Sequence, residues 1–209
     1  AKALRACVIL AIFVCLAVAA HAVFVPQFLG LPFSPFTYYG GDATSQLVGA
    51  VSLLERSLME GTFSWNWEYG LGGDLFEQFS YYYSTSPFFY LMFAVKCLFG
   101  AAGGDFETAQ MWRLIASIVK QTICMLLMYA LIRQEGKRRA WAVVAAAVYG
   151  CSMWYIDNSF AFDFMTDAML WLPSIVLAFN HLKRSWDGSG DATRRPGATP
   201  DPRTAWIPL

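Results

Sequence analysis

The sequence predicts an all-α, polytopic helical membrane protein, and three observations carry that prediction. Charged side chains make up only 14% of the 209 residues, against roughly 25% in a soluble domain. Apolar residues reach 57% and aromatic ones 17%. Several apolar runs approach the roughly 20 residues that a helix needs to cross a bilayer core about 30 Å thick.

The first run fills residues 6–20 and resumes after His21 to Val25, giving an expected span over 6–25. Lys2 and Arg5 ahead of it and Ala20-His21-Ala22 behind it also fit a secretory signal peptide. The later apolar runs favour an uncleaved first helix. His21, alone in that run, reads as a packed or hydrogen-bonded side chain rather than a ligand. Further spans are expected over 109–132, 141–156 and 160–182, within a transmembrane domain covering 1–184. The apolar stretch 87–99 is short and is interrupted by Lys96. Runs of that length are more often re-entrant or interfacial than spanning.

Four crossings with a cytoplasmic N-terminus satisfy the bias of Lys and Arg toward the cytosol. Lys2, Arg5, the RQEGKRR loop (133–139) and Lys183-Arg184 then share one side. The 32–108 loop, with eight acids and two bases, falls on the other, as does the 157–167 connection with three acids and no base. Residues 185–205 are rich in Gly, Pro, Asp, Arg and Thr, the composition of an unstructured linker. Ala1 in place of Met, and the apolar start of a further segment at 206–209, suggest a piece of a longer protein.

Fifteen bases balance fifteen acids, so no excess of positive charge draws the chain to nucleic acid, and no groove-reading motif is present. The five cysteines lie mostly in apolar runs without metal-ligand spacing. Neither a metal site nor a cofactor site is expected from them, and a need for a divalent ion is not legible.

Within the outward loop, Leu47, Val51, Leu54 and Leu58 recur at helical spacing, predicting a surface helix over 45–60 that ends at Gly61. The triplet Gly-Gly-Asp occurs at residues 40–42, 72–74 and 103–105. Paired glycines permit positive φ and close approach, so Asp42 and Asp74 are candidate chemical groups presented from sharp turns. Helix capping is the competing role for Asp42. Asp105, in a short polar connector, reads as an ordinary turn. Twelve of the 28 residues from Phe63 to Tyr90 are aromatic. Most fit an interfacial belt, while some, Trp65 and Trp67 among them, are candidates to contact sugar rings or lipid.

Lys120 lies near the middle of the 109–132 run, where a charge costs at least about 2.5–3.5 kcal/mol and normally meets a partner or a wet cavity. Arg113 lies seven residues earlier on a similar face. Two such cations suit an anionic lipid head group, unless Lys120 pairs with an Asp of a neighbouring helix. Asp163 and Asp167, four residues apart, are candidates for that pairing or for lining the same cavity. Pro173 is expected to kink the last span or interrupt its backbone bonding.

The ordered motifs YYGGDATSQ, FSWNWEYGLGGDLFEQFSYYYSTSPF, a helix with a central Lys, and DAMLWLP over residues 6–184 resemble the YfhO-type family of bacterial integral membrane proteins. That family is similar to the GT-C superfamily of membrane glycosyltransferases. The resemblance implies a multi-pass protein of the plasma (inner) membrane that moves a sugar from a polyprenyl-phosphate donor to a cell-surface acceptor outside it. It also implies that Asp42, with Asp74 second, acts as catalytic base or binds acceptor, and that Lys120 and Arg113 offset charge on the leaving lipid phosphate. Two other functions fit the same residues: a transporter or flippase of a lipid-linked or anionic substrate, and a non-catalytic membrane scaffold.

Overall fold

The computed structural model describes residues 2–22 and 46–192. The helices are α1 (Lys2–Ala20), α2 (Val48–Glu60), α3 (Leu75–Gln78), α4 (Pro87–Leu98), α5 (Phe106–Gln134), α6 (Arg139–Gly150), α7 (Met153–Ala161) and α8 (Asp167–Ala192). Between α2 and α3, the two-residue strands β1 (Trp65–Asn66) and β2 (Gly73–Asp74) pair antiparallel, Trp65 opposite Asp74 and Asn66 opposite Gly73.

α5 is the central element, with α1, α2, α4, α6, α7 and α8 all packed on it. At 29 residues it is about 43 Å long, longer than a bilayer core is thick. Among the described residues, α1 and α5 are long and apolar enough to cross a membrane. α6 approaches α5 through small side chains at helical spacing, Ala142, Ala146 and Gly150, all buried, a stripe that lets membrane helices come close. A Cβ on Gly150 would lie 2.3 Å from the Met125 side chain, so a larger residue here would force that side chain to move.

Two of the expected spans are divided. The 141–156 run breaks after Gly150, because Ser152 accepts a hydrogen bond from the Tyr155 amide and so caps a new helix. α6 alone, 12 residues or about 18 Å, is too short to cross. The 160–182 run begins instead with the end of α7 and a turn over 163–166, and α8 starts at Asp167. Pro173 does not end α8. Its missing amide frees the carbonyl of Met169, which accepts from the Tyr149 hydroxyl of α6 at 3.1 Å, the kind of substitution that lets proline persist in membrane helices. α8 continues to Ala192, into the stretch whose composition suggested a linker. Arg184 donates to the Gln134 carbonyl, so α5 and α8 share one basic end.

The expected surface helix is α2. It ends as its sequence suggests, at Gly61 in the left-handed region (φ 71°) with its amide on Ser57 O. Its apolar face joins Leu75, Phe79, Tyr83, Phe89 and Phe164 in a core away from the basic end. The short apolar stretch 87–99 is α4, capped by Ser86 and carrying Pro at its first position, where no amide is needed.

Candidate functional site

The site is assembled from three parts of the chain. α5 supplies Arg113 and Lys120, seven residues apart on one face. The turn after α7 and the first residue of α8 supply Asp163 and Asp167. The segment leading into α4 supplies Tyr83 and Ser86. Arg113 donates from Nε to Asp163 Oδ1 at 3.0 Å and from Nη2 to the same oxygen, and Tyr83 donates its hydroxyl to that oxygen at 2.6 Å. Lys120 donates to Asp167 Oδ1 at 3.0 Å and to the Asp163 carbonyl. Ser86 donates to Asp167 Oδ2. All six side chains are buried. Asp167 also sits at the N-terminus of α8, where the helix dipole favours a negative charge.

The depth of this cluster follows from α5. Any window of about 20 residues placed within Phe106–Gln134 contains residues 115–125, so Lys120 lies in the hydrocarbon layer wherever along its length α5 crosses. A charge there normally meets a partner or a wet cavity; Lys120 has its carboxylate partner in Asp167 and borders a small cavity. A cavity of about 40 Å³ lies between α2, α4, α5 and Asp163-Phe164, and Arg113, Lys120 and Asp163 line it. That volume suits one or two waters.

Two further residues line the same cavity. Glu55 of α2 and Lys96 of α4 form a buried ion pair, Lys96 Nζ donating to both carboxylate oxygens, one at 2.6 Å. The Gly103 amide also donates to Glu55, at 3.0 Å. Sequence reasoning missed this pair. Its signal is Glu55 at i+4 from Val51, a charge on the apolar face of a helix.

The remaining sequence candidates lie elsewhere. Asp74 caps α3, accepting from the Glu77 amide at 3.0 Å, and no bond joins it to the charged cluster. The glycine expectation holds at Gly72, which has φ 99° and approaches the Trp65 indole so closely that a Cβ would lie 2.7 Å from it. Trp65 and Trp67 stack edge to face at 5.5 Å and are exposed, apart from the cluster. Asp105 caps α5, and hydrogen bonds from Thr108 hold its carboxyl below the usual range. His21 is buried, with Nδ1 2.8 Å from Ala17 O and Nε2 3.1 Å from Ser159 Oγ, which fits the packed role. Asp42 lies outside the described residues.

A bundle around an apolar helix of spanning length, with charged side chains paired and buried against its middle, has the make-up of a helical membrane protein. Residues 12–185 match the family model described as "Bacterial membrane protein YfhO". The chain is also similar to a protein of Bacillus subtilis (strain 168) described as "Uncharacterized protein YfhO", with 30% identity over 171 residues, 80% of this chain and 20% of that protein. The chain belongs to the YfhO family of bacterial membrane proteins. It spans about a fifth of the length of that curated relative. No solved structure matches it.

Proposed function

We propose that the chain is part of a glycosyltransferase-like protein of the plasma membrane, N-terminus in the cytosol, that moves a sugar from a polyprenyl-phosphate donor to a cell-surface acceptor. Asp42 takes the proton of the acceptor hydroxyl, with Asp74 as the second candidate. Lys120 and Arg113 offset charge gathering on the lipid phosphate as the sugar departs, and Asp163 and Asp167 hold the two cations in position. Trp65 and Trp67 offer ring faces to the sugar or lipid.

The observation that carries this reading is a buried cavity against the middle of α5 lined by three cations, Lys96, Arg113 and Lys120, with two carboxylates, Glu55 and Asp163. Charged groups inside a membrane commonly mark a substrate path. In the sequence Asp42 precedes α2 by six residues, and Val51 and Glu55 of α2 line the same cavity. The test is donor turnover by the full-length protein, wild type against Asp42→Asn. Loss of transfer with unchanged membrane abundance supports the assignment, and normal transfer removes Asp42 as the base.

One observation favours a second reading. Arg113 and Lys120 each have a carboxylate of their own, as expected if the cluster only joins helices in a scaffold. Full function in a protein with Asp42, Asp74 and Lys120 all replaced would establish that reading. Movement of the sugar-lipid across vesicles without any transfer product would instead point to a flippase.

A further inference from the structure

α4 buries Phe89 and a single charge, Lys96, on its inner face and exposes an apolar stripe on its outer one, where a helix packed under water would carry polar side chains. Its one charged residue, Lys96, is 2% exposed and turned inward onto Glu55. Its outer stripe is Pro87, Tyr90, Leu91, Ala94, Cys97 and Leu98, grouped on one helical face, all exposed and none charged. The Tyr90 hydroxyl, the strongest polar group on that stripe, donates to Ser84 O at 2.7 Å.

The ends of the helix are equally well closed. Ser86 Oγ takes the Phe89 amide, and Pro87 has no amide to satisfy. At the other end Phe99, Gly100 and Ala101 donate back to Val95, Cys97 and Lys96. A backbone satisfied this way tolerates hydrocarbon.

Its depth is set by its neighbours. Phe88 packs in the cluster that contains Ile123, Cys124 and Leu127 of α5, and its ring lies 6.5 Å from Trp171 of α8. Ile123 and Cys124 fall in the part of α5 that every placement puts inside the membrane core. At the far end Phe99 meets Trp112 at 6.0 Å, nearer the start of α5. The N-terminal turn of α4 is thus the deep end. Below it the exposed apolar surface continues along α8 through Leu172, Ile175 and Phe179.

We infer that the outer stripe of α4 is a lipid-contact surface: α4 is a half-helix embedded in the leaflet away from the basic 133–139 loop, with acyl chains against residues 87–98. Its inward Lys96–Glu55 pair fastens it to α2 while its outer face meets lipid.

The experiment is site-directed spin labelling of the full-length protein in phosphatidylethanolamine and phosphatidylglycerol bilayers. Cysteines replace Leu91, Ala94, Leu98 and, as an aqueous reference, Glu68, one at a time with the native cysteines removed. Collisions with oxygen, which partitions into lipid, are expected to exceed those with a water-soluble nickel chelate several-fold at 91, 94 and 98, with the order reversed at 68. A label on native Cys97, all other cysteines removed, gives the same readout without altering the stripe. Nickel-dominated collisions would overturn the inference by placing the stripe in water. Suppression of both would overturn it by showing another part of the longer protein covering the stripe.

Discussion

The Trp65–Asp74 hairpin and the cluster around Asp163 put their acids to opposite uses. Asp74 binds an amide three residues along the chain, and the hairpin exposes its rings, with Trp67 74% accessible and Leu71 95%. Asp163 holds Tyr83 and Arg113 on its carboxylate, from 80 and 50 residues away, and Lys120 only on its backbone carbonyl, from 43, and all are buried. A carboxylate satisfied by its own turn shapes only that turn. A carboxylate satisfied across the chain holds separate segments together, so its removal is felt by all of them.

The comparison breaks most visibly at Asp163. Asp163→Ala leaves Arg113 buried without its carboxylate and is expected to destabilise the protein by about 3–5 kcal/mol, measured by thermal unfolding of the full-length protein in detergent. A loss below about 1 kcal/mol would reduce Asp163 to the standing of the hairpin acid. Next is the Glu55–Lys96 pair. Lys96→Met alone is expected to cost about 3 kcal/mol, while the double variant Glu55→Leu/Lys96→Met regains most of that, because it leaves no unpaired charge. A double variant no more stable than the single one would place the stability in a wider network. The smallest effect belongs to Asp74→Ala, about 1 kcal/mol from a lost N-cap, seen as faster amide exchange confined to residues 75–79. Exchange that also rises in α5 would join the two regions.

What the sequence could reveal divides along the same line. Lys120, Arg113, Asp163 and Asp167 stood out because each is a rare charge in an apolar surrounding, and spacings of seven and four put each pair on one face. Glu55 and Lys96 were hidden by the same logic. Lys96 reads as a defect in a short apolar run, and its partner lies 41 residues away, a distance that no periodicity reports. The end of α2 at Gly61 was legible because a left-handed glycine is a local device. The break at Ser152 was not, since its neighbours are apolar enough to continue a helix and only the serine's own cap marks the stop. The acids of Gly-Gly-Asp were visible as a motif, and Asp74 and Asp105 both cap helices, a role that a triplet alone does not reveal.

Pro173 gives α8 one missing rung, and the Tyr149 hydroxyl stands in for it. That hydroxyl ties the two turns bearing Asp167 onto α6, while the Arg184 end is tied to the last turn of α5, so the two halves of α8 are fastened to different neighbours.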